Sequence, residues 1–136
     1  MLGLFRKKKT SQLKILVIDD EPDLVSTVEY RLKFANCRVT TASNGQEGLE
    51  RAAAEKPDLI LLDTNMPGMS GHETLEHLRA DPNLKHIPVI MLTALCEPQD
   101  IAAASARGVT DYVTKPFDFA QLMDKIEAAL ANRKPE

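Results

Sequence analysis

The chain has 136 residues, 43% of them hydrophobic and 27% charged, which suits one domain able to bury a core without staples. Its 17 basic and 20 acidic side chains leave a net charge of −3, a poor basis for a general nucleic-acid coat, and four Phe, two Tyr and no Trp give no stacking platform for single strands. Two cysteines, Cys37 and Cys96, exclude a disulfide framework or a cysteine-only zinc site, and the longest apolar run, four residues, is far short of a membrane span.

In chain order, residues 1–12 form a basic N-terminal tail in which Leu4 and Phe5 precede Arg6, Lys7, Lys8 and Lys9. That is the wrong order for a secretory signal, and Gly3 stands one place too late for myristoylation. The tail reads as solvated, with a weak membrane-surface or partner contact as the sharper alternative. Residues 15–18, Ile-Leu-Val-Ile, predict a first strand, followed by Asp19, Asp20 and Glu21. Pro22 opens a helix with Leu24, Val25, Val28 and Leu32 on one face. Residues 37–42 alternate more and predict an edge strand. Ser43 with Gln46 predicts a capping box for the second helix, which ends before Pro57.

Residues 59–62 predict a third strand, followed by Asp63-Thr64-Asn65-Met66-Pro67-Gly68. Ser70 with Glu73 predicts a second capping box, and Asp81-Pro82 stops the third helix. Residues 89–92 predict a fourth strand, followed by Thr93, Ala94, Leu95 and Cys96, and an Ala-rich fourth helix spans about residues 97–107. Tyr112 and Val113 mark a short fifth strand before Thr114-Lys115-Pro116-Phe117. Asp118 with Gln121 caps a fifth helix whose core face carries Phe119, Leu122, Ile126 and Leu130. Continuous apolar strands alternating with helices predict a parallel sheet covered on both faces, in a single α/β domain over residues 13–132, with residues 133–136 as a tail.

Open α/β sheets bind ligands beyond the carboxyl ends of their strands. Asp19, Asp20, Asp63, Thr93 and Lys115 all follow strands, so three carboxylates, a hydroxyl and an ammonium converge on one edge. Singly each has an ordinary reading: Asp20 as a helix cap, Thr93 as a turn residue, Lys115 as a surface lysine. Together they place repelling carboxylates where a cation would be needed, and oxygen-only ligands suit Mg²⁺ better than zinc. The same set suits phosphoryl chemistry, with a carboxylate as nucleophile and a lysine and hydroxyl as an electrostatic clamp.

These motifs resemble the receiver domain of bacterial two-component response regulators, of the stand-alone, chemotaxis-regulator type. The spacings are 43 residues from Asp20 to Asp63, 30 from Asp63 to Thr93 and 22 from Thr93 to Lys115. The resemblance implies a doubly wound (βα)5 fold of strand order 2-1-3-4-5, the order already known for chemotaxis receivers. It implies Asp63 as acceptor of a phosphoryl group from a sensor histidine kinase or histidine phosphotransfer protein. Mg²⁺ would be held by Asp20, Asp63 and the backbone carbonyl of Asn65, with Asp19 acting mainly through metal-bound water. Thr93 and Lys115 would bind phosphoryl oxygens, Lys115–Pro116 would be a cis peptide, and Thr93 with Tyr112 would form a switch pair. Helix four, strand five and helix five would form the face for a downstream protein or for phosphorylation-dependent pairing of two copies.

The expected function is a phosphorylation-switched module in a cytoplasmic phosphorelay, signalling through surface contacts without an attached output domain. It would catalyse only its own phosphorylation and dephosphorylation, with no direct nucleic-acid contact and no stable membrane insertion. A phosphatase or phosphotransferase using Asp63 is the enzymatic alternative, although Asn65 stands where Asp-x-Asp phosphatases carry an acid. A flavin or nucleotide carrier would need a phosphate loop after strand one, where Asp19-Asp20-Glu21 would repel phosphate in the absence of a metal. A non-phosphorylated pseudo-receiver would keep the fold alone. Cys96 reads as a small loop residue, and His72, His77 and His86 lack metal-like spacing. Asn65 and Leu95 stand where the family tunes phosphoryl lifetime. Asn65 can hydrogen-bond an attacking water and Leu95 cannot. Leu95→Gln is therefore expected to lose its phosphoryl group faster than the wild type, and equal decay rates would remove Leu95 from that role.

Overall fold

The computed structural model describes residues 12–94 and 108–132. The apolar runs become strands and the periodic segments between them become helices, in the order β1 (Lys14–Ile18), α1 (Pro22–Phe34), β2 (Arg38–Ala42), α2 (Gly45–Glu55), β3 (Leu59–Asp63), α3 (Gly71–Ala80), β4 (Val89–Thr93), β5 (Asp111–Thr114) and α4 (Phe119–Ala131). The sheet is parallel throughout, in the order β2-β1-β3-β4-β5. The predicted helix over residues 97–107 lies outside the described residues, as do Leu95, Cys96 and most of both tails.

Burial follows position in the sheet. β3 and β4 are buried along their whole length, and β1 is buried after Lys14. β2, at one edge, buries only Ala42 and exposes Arg38, while β5, at the other, has four residues and buries only Val113. Cys37 lies just before β2, and burial, aided by the charge of Asp58, pushes its thiol up to about 11. It is an inert packing residue.

Successive strand residues point to opposite faces, so the sheet divides the interior in two. On one side Ile15, Val17, Leu59, Leu61, Ile90 and Leu92 pack with Val28 and Leu32 of α1 and Leu122, Met123 and Ile126 of α4. The Arg31 guanidinium also lies 4.5 Å from the centre of the Phe119 ring, joining these two helices. On the other side Leu16, Ile18, Ile60, Leu62 and Met91 pack with Ala52 of α2 and Leu75 and Leu78 of α3. This two-sided cover explains why the central strands lack polar alternation.

Two of the predicted caps form. Ser70 and Glu73 make a full capping box on α3, and the Asp118 side chain accepts from the N–H of Gln121 on α4. The second helix corrects the sequence reading: its N-cap is Asn44, not Ser43, and Asn44 Oδ1 accepts from the N–H of Glu47 at 2.8 Å. Glu47 in turn accepts from the Ser43 N–H at 2.8 Å, one residue before the N-cap, so the α2 cap is a bond from the Glu47 N–H to Asn44 and not the expected Ser43–Gln46 capping box. Asp20 is not a cap either. Glu21 holds that place on α1 without a side-chain cap bond, directly before Pro22.

Register brings the strand ends level. Ile18 faces Ala42 on one side and Leu62 on the other, Asp63 faces Leu92, and Thr93 faces Thr114. The connection from β3 to α3 is drawn tight against the sheet. The N–H of Gly71 donates to Thr64 O at 3.1 Å, and a Cβ at Gly71 would run into the main-chain oxygen of Asp63 and lie 2.7 Å from Thr64 Cα. A Gly71→Ala variant is expected to lose about 1–3 kcal/mol by overpacking. Urea denaturation checks this, and an unchanged midpoint would mean the loop has room to give.

Candidate functional site

Asp19 directly follows β1 and extends its ladder, its N–H donating to Ala42 O at 3.0 Å. It is 1% exposed, yet both carboxylate oxygens are occupied: Oδ1 accepts from the N–H of Glu21 at 2.9 Å and Oδ2 from Lys115 Nζ at 2.9 Å. Asp20 is more exposed. Asp63 ends β3 and is 4% exposed, with Oδ1 accepting from the N–H of Asn65 at 3.2 Å. One carboxylate oxygen from each of Asp19, Asp20 and Asp63 lies within 4.8 Å of the others. Among the described residues this is the only cluster of three or more potential His, Cys, Asp or Glu ligands, so His72, His77 and His86 stand outside it.

Thr93 ends β4 and is buried. Its carbonyl accepts from the N–H of Lys115 at 2.7 Å, which carries the end of β5 to the same edge. The Lys115–Pro116 peptide bond is cis. Lys115 Nζ then reaches Glu21 at 2.6 Å, Asp19 at 2.9 Å and Asp63 at 3.4 Å. Tyr112 lies half-buried on β5 opposite Met91, and Lys125 Nζ sits 5.8 Å from its ring centre while binding Asp111 at 3.2 Å. The structure thus brings Asp19, Asp20, Asp63, Asn65, Thr93 and Lys115 to one edge and Tyr112 to the neighbouring strand. Leu95 falls outside the described residues.

Glu21 is the contact that sequence reasoning did not assign. The run Asp19-Asp20-Glu21 marked an acidic strand end, but the partner of Glu21 is Lys115, 94 residues away. No local pattern reports such a pairing.

Burial sets the electrostatics. It is the main force raising the Asp63 carboxyl; the Asn65 N–H pulls it back, the Asp19 charge adds to the rise and Lys115 opposes it, and together they leave it up at about 6. Burial alone would lower the Lys115 ammonium, but hydrogen bonds to Glu21 and Asp19 and the charges of Asp19 and Asp63 hold it well above its ordinary range. Lys115 is therefore a fixed cation. The edge can hold a small divalent cation on oxygen ligands, and it offers a buried carboxylate nucleophile beside an ammonium and a hydroxyl.

The family model for the response regulator receiver domain matches residues 15–127. The chain is 39% identical over 123 residues to the phosphate regulon transcriptional regulatory protein PhoB of Rhizobium meliloti, covering 90% of this chain and 54% of that one. It spans about half the length of the curated relatives it matches. The structure of chemotaxis protein CheY4 of Vibrio cholerae superposes with a TM-score of 0.84 at 31% identity, covering 88% of this chain and 99% of that one. The receiver domain of sensor histidine kinase PA1611 from Pseudomonas aeruginosa, solved with a magnesium ion coordinated in its active site cleft, superposes with a TM-score of 0.82 at 28% identity, over 90% of this chain and 100% of that one.

The raised Asp63 carboxyl carries a stability consequence. The folded state holds its proton up to about pH 6, whereas the unfolded chain releases it near 3.8. The folded state is thus favoured at low pH, and that advantage is lost as pH rises through 6. In metal-free buffer Asp63→Asn is expected to be more stable than the wild type by about 2–3 kcal/mol at pH 8, with the gain shrinking as pH falls from 6 toward 4. Thermal or urea unfolding in a chelator across that range checks it, and a gain independent of pH would assign the effect to packing.

Proposed function

The chain belongs to the response regulator receiver family, and on that premise we propose that it is a phosphorylation-switched signalling module in a two-component phosphorelay. Asp63 accepts a phosphoryl group from the phosphohistidine of a sensor histidine kinase or histidine phosphotransfer protein. The phosphorus–nitrogen bond breaks as a phosphorus–oxygen bond forms to Asp63, and the imidazole leaves with the electron pair. The observation that carries this reading is the pairing of a buried carboxylate, Asp63, with a buried acid, Asp19, and a fixed cation, Lys115, at the carboxyl edge of the sheet.

The donor set fits Mg²⁺: it is all oxygen, and three carboxylates lie close enough to share one ion. Asp19, Asp20, Asp63 and the backbone carbonyl of Asn65 would hold it. When bound, Mg²⁺ supplies charge neutralisation for the incoming phosphoryl oxygens. Lys115 binds one phosphoryl oxygen with its ammonium, and the Thr93 hydroxyl binds another. Lys115 need not titrate to do so, since its neighbours keep it charged. Above about pH 6 Asp63 is largely the carboxylate that a nucleophile must be.

The consequence of phosphorylation passes to the surface along β4 and β5. Thr93 moves toward the phosphoryl group and Tyr112, now half-buried against the core, turns further in. The outer side of β5 and α4, with the predicted helix over residues 97–107, receives a downstream protein or a second copy of the chain. The module works in the cytoplasm and acts catalytically only on itself. No helix among the described residues is long and apolar enough to cross a membrane.

Incubation with acetyl phosphate and Mg²⁺, followed by intact mass spectrometry, tests the chemistry. One phosphoryl adduct is expected, absent in chelator and absent in Asp63→Asn. A folded protein that gains no adduct under these conditions would overturn the reading.

A further inference from the structure

The tightest partner of Lys115 is not the proposed phosphoacceptor. Its Nζ hydrogen-bonds Glu21 at 2.6 Å and Asp19 at 2.9 Å, while Asp63 stands off at 3.4 Å. The ammonium leans toward the β1 side of the edge. Glu21 is placed there by its neighbours: its N–H is bound to Asp19 Oδ1, and Pro22 after it restricts it to the extended conformation it shows, φ −92° and ψ 104°. The two ends of the pair differ in freedom. The Glu21 side chain is 58% exposed and can turn into water, whereas that of Lys115 is 15% exposed and stays within the edge.

We propose that Glu21 is a positioning residue that parks the Lys115 ammonium on the Asp19 side of the unphosphorylated site and releases it when a phosphoryl oxygen arrives. The inference rests on the phosphoacceptor role of Asp63 argued above. An ammonium has three N–H donors, and here two are committed to Glu21 and Asp19. To meet an oxygen carried on Asp63 it must move toward Asp63 and give up part of its hold on Glu21. The carboxylate also repels the arriving anion. Both effects oppose acquisition of the phosphoryl group, and neither is large, because a pair with one exposed partner is weak. Glu21 therefore sets how readily the site fills, and does not decide whether it can.

The test compares the full chain with Glu21→Gln and Glu21→Asp. The first removes the charge; the second keeps it but shortens the side chain by one methylene, out of reach of Lys115. Beryllofluoride affinity at saturating Mg²⁺ is read by NMR or calorimetry, and the Lys115 ammonium resonance is followed in the unliganded protein. Glu21→Gln is expected to bind beryllofluoride about two- to fivefold tighter, with a smaller gain in Glu21→Asp, and the ammonium resonance shifts in both. A gain in Glu21→Gln with Glu21→Asp at the wild-type value would reduce Glu21 to a distant charge and overturn positioning. So would no gain in either variant, or an ammonium resonance that does not move. If the wild type takes up no beryllofluoride, the phosphoacceptor reading fails by itself, and the resonance still reports whether Glu21 holds the lysine.

Discussion

One ammonium group faces four carboxylates at the carboxyl edge of the sheet. Lys115 contacts Asp19, Glu21 and Asp63, and Asp20 completes the acidic set. Two of those carboxylates, Asp19 and Asp63, are almost completely buried. Burying like charges together is costly, and one cation offsets only part of that cost. The rest of the edge is arranged around the deficit. Backbone N–H groups of Glu21 and Asn65 point at Asp19 and Asp63, and the main chain of Lys115 is tied to Thr93. A site left short of positive charge is primed for a divalent cation, and burial, with the Asp19 charge added to it, keeps the Asp63 carboxyl raised.

The scaffold makes this tolerable by keeping the charges at one rim. The sheet separates two apolar cores, one under α1 and α4 and one under α2 and α3, while the carboxylates gather at the carboxyl edge. Close packing of the β3–α3 connection, with Gly71 against Asp63, leaves the loop little room to relax away from the carboxylate. The site inherits its precision from regular structure. Asp63 and Thr93 are the last residues of strands, and Asp19 and Lys115 are the first residues beyond them.

Much of this was legible in the sequence because it depends on local period. The continuous apolar runs over residues 15–18, 59–62 and 89–92 were the central strands, and Val28, Leu32, Leu122, Ile126 and Leu130 faced the core as their spacing required. Met123 and Ala129 joined them because a helix lying on a sheet buries a wider stripe than the periodic minimum. Strand order was not legible from period and came from the family resemblance. The cap on α2 was misread because Ser43–Gln46 and Asn44–Glu47 are overlapping versions of one pattern, and only the backbone angles choose between them. The convergence of Asp19, Asp20, Asp63, Thr93 and Lys115 could be anticipated from strand ends. The grip of Glu21 on Lys115 could not, since it arises from chain segments that meet only in three dimensions.

The two edges of the sheet bear on how copies of this chain behave when crowded. An open strand is a template on which another chain can lay its backbone, and repeated addition leads to fibres. Here β2 presents a charged residue, Arg38, and two threonines along a five-residue edge, and β5 offers only four residues, the first of them held by Lys125. Short, polar edges are poor templates. Growth by strand addition is disfavoured at both margins, so contacts between copies are steered to side-chain surfaces, where a symmetric pair closes on itself and stops. The sheet that holds the carboxylate edge is thereby a poor template for strand addition.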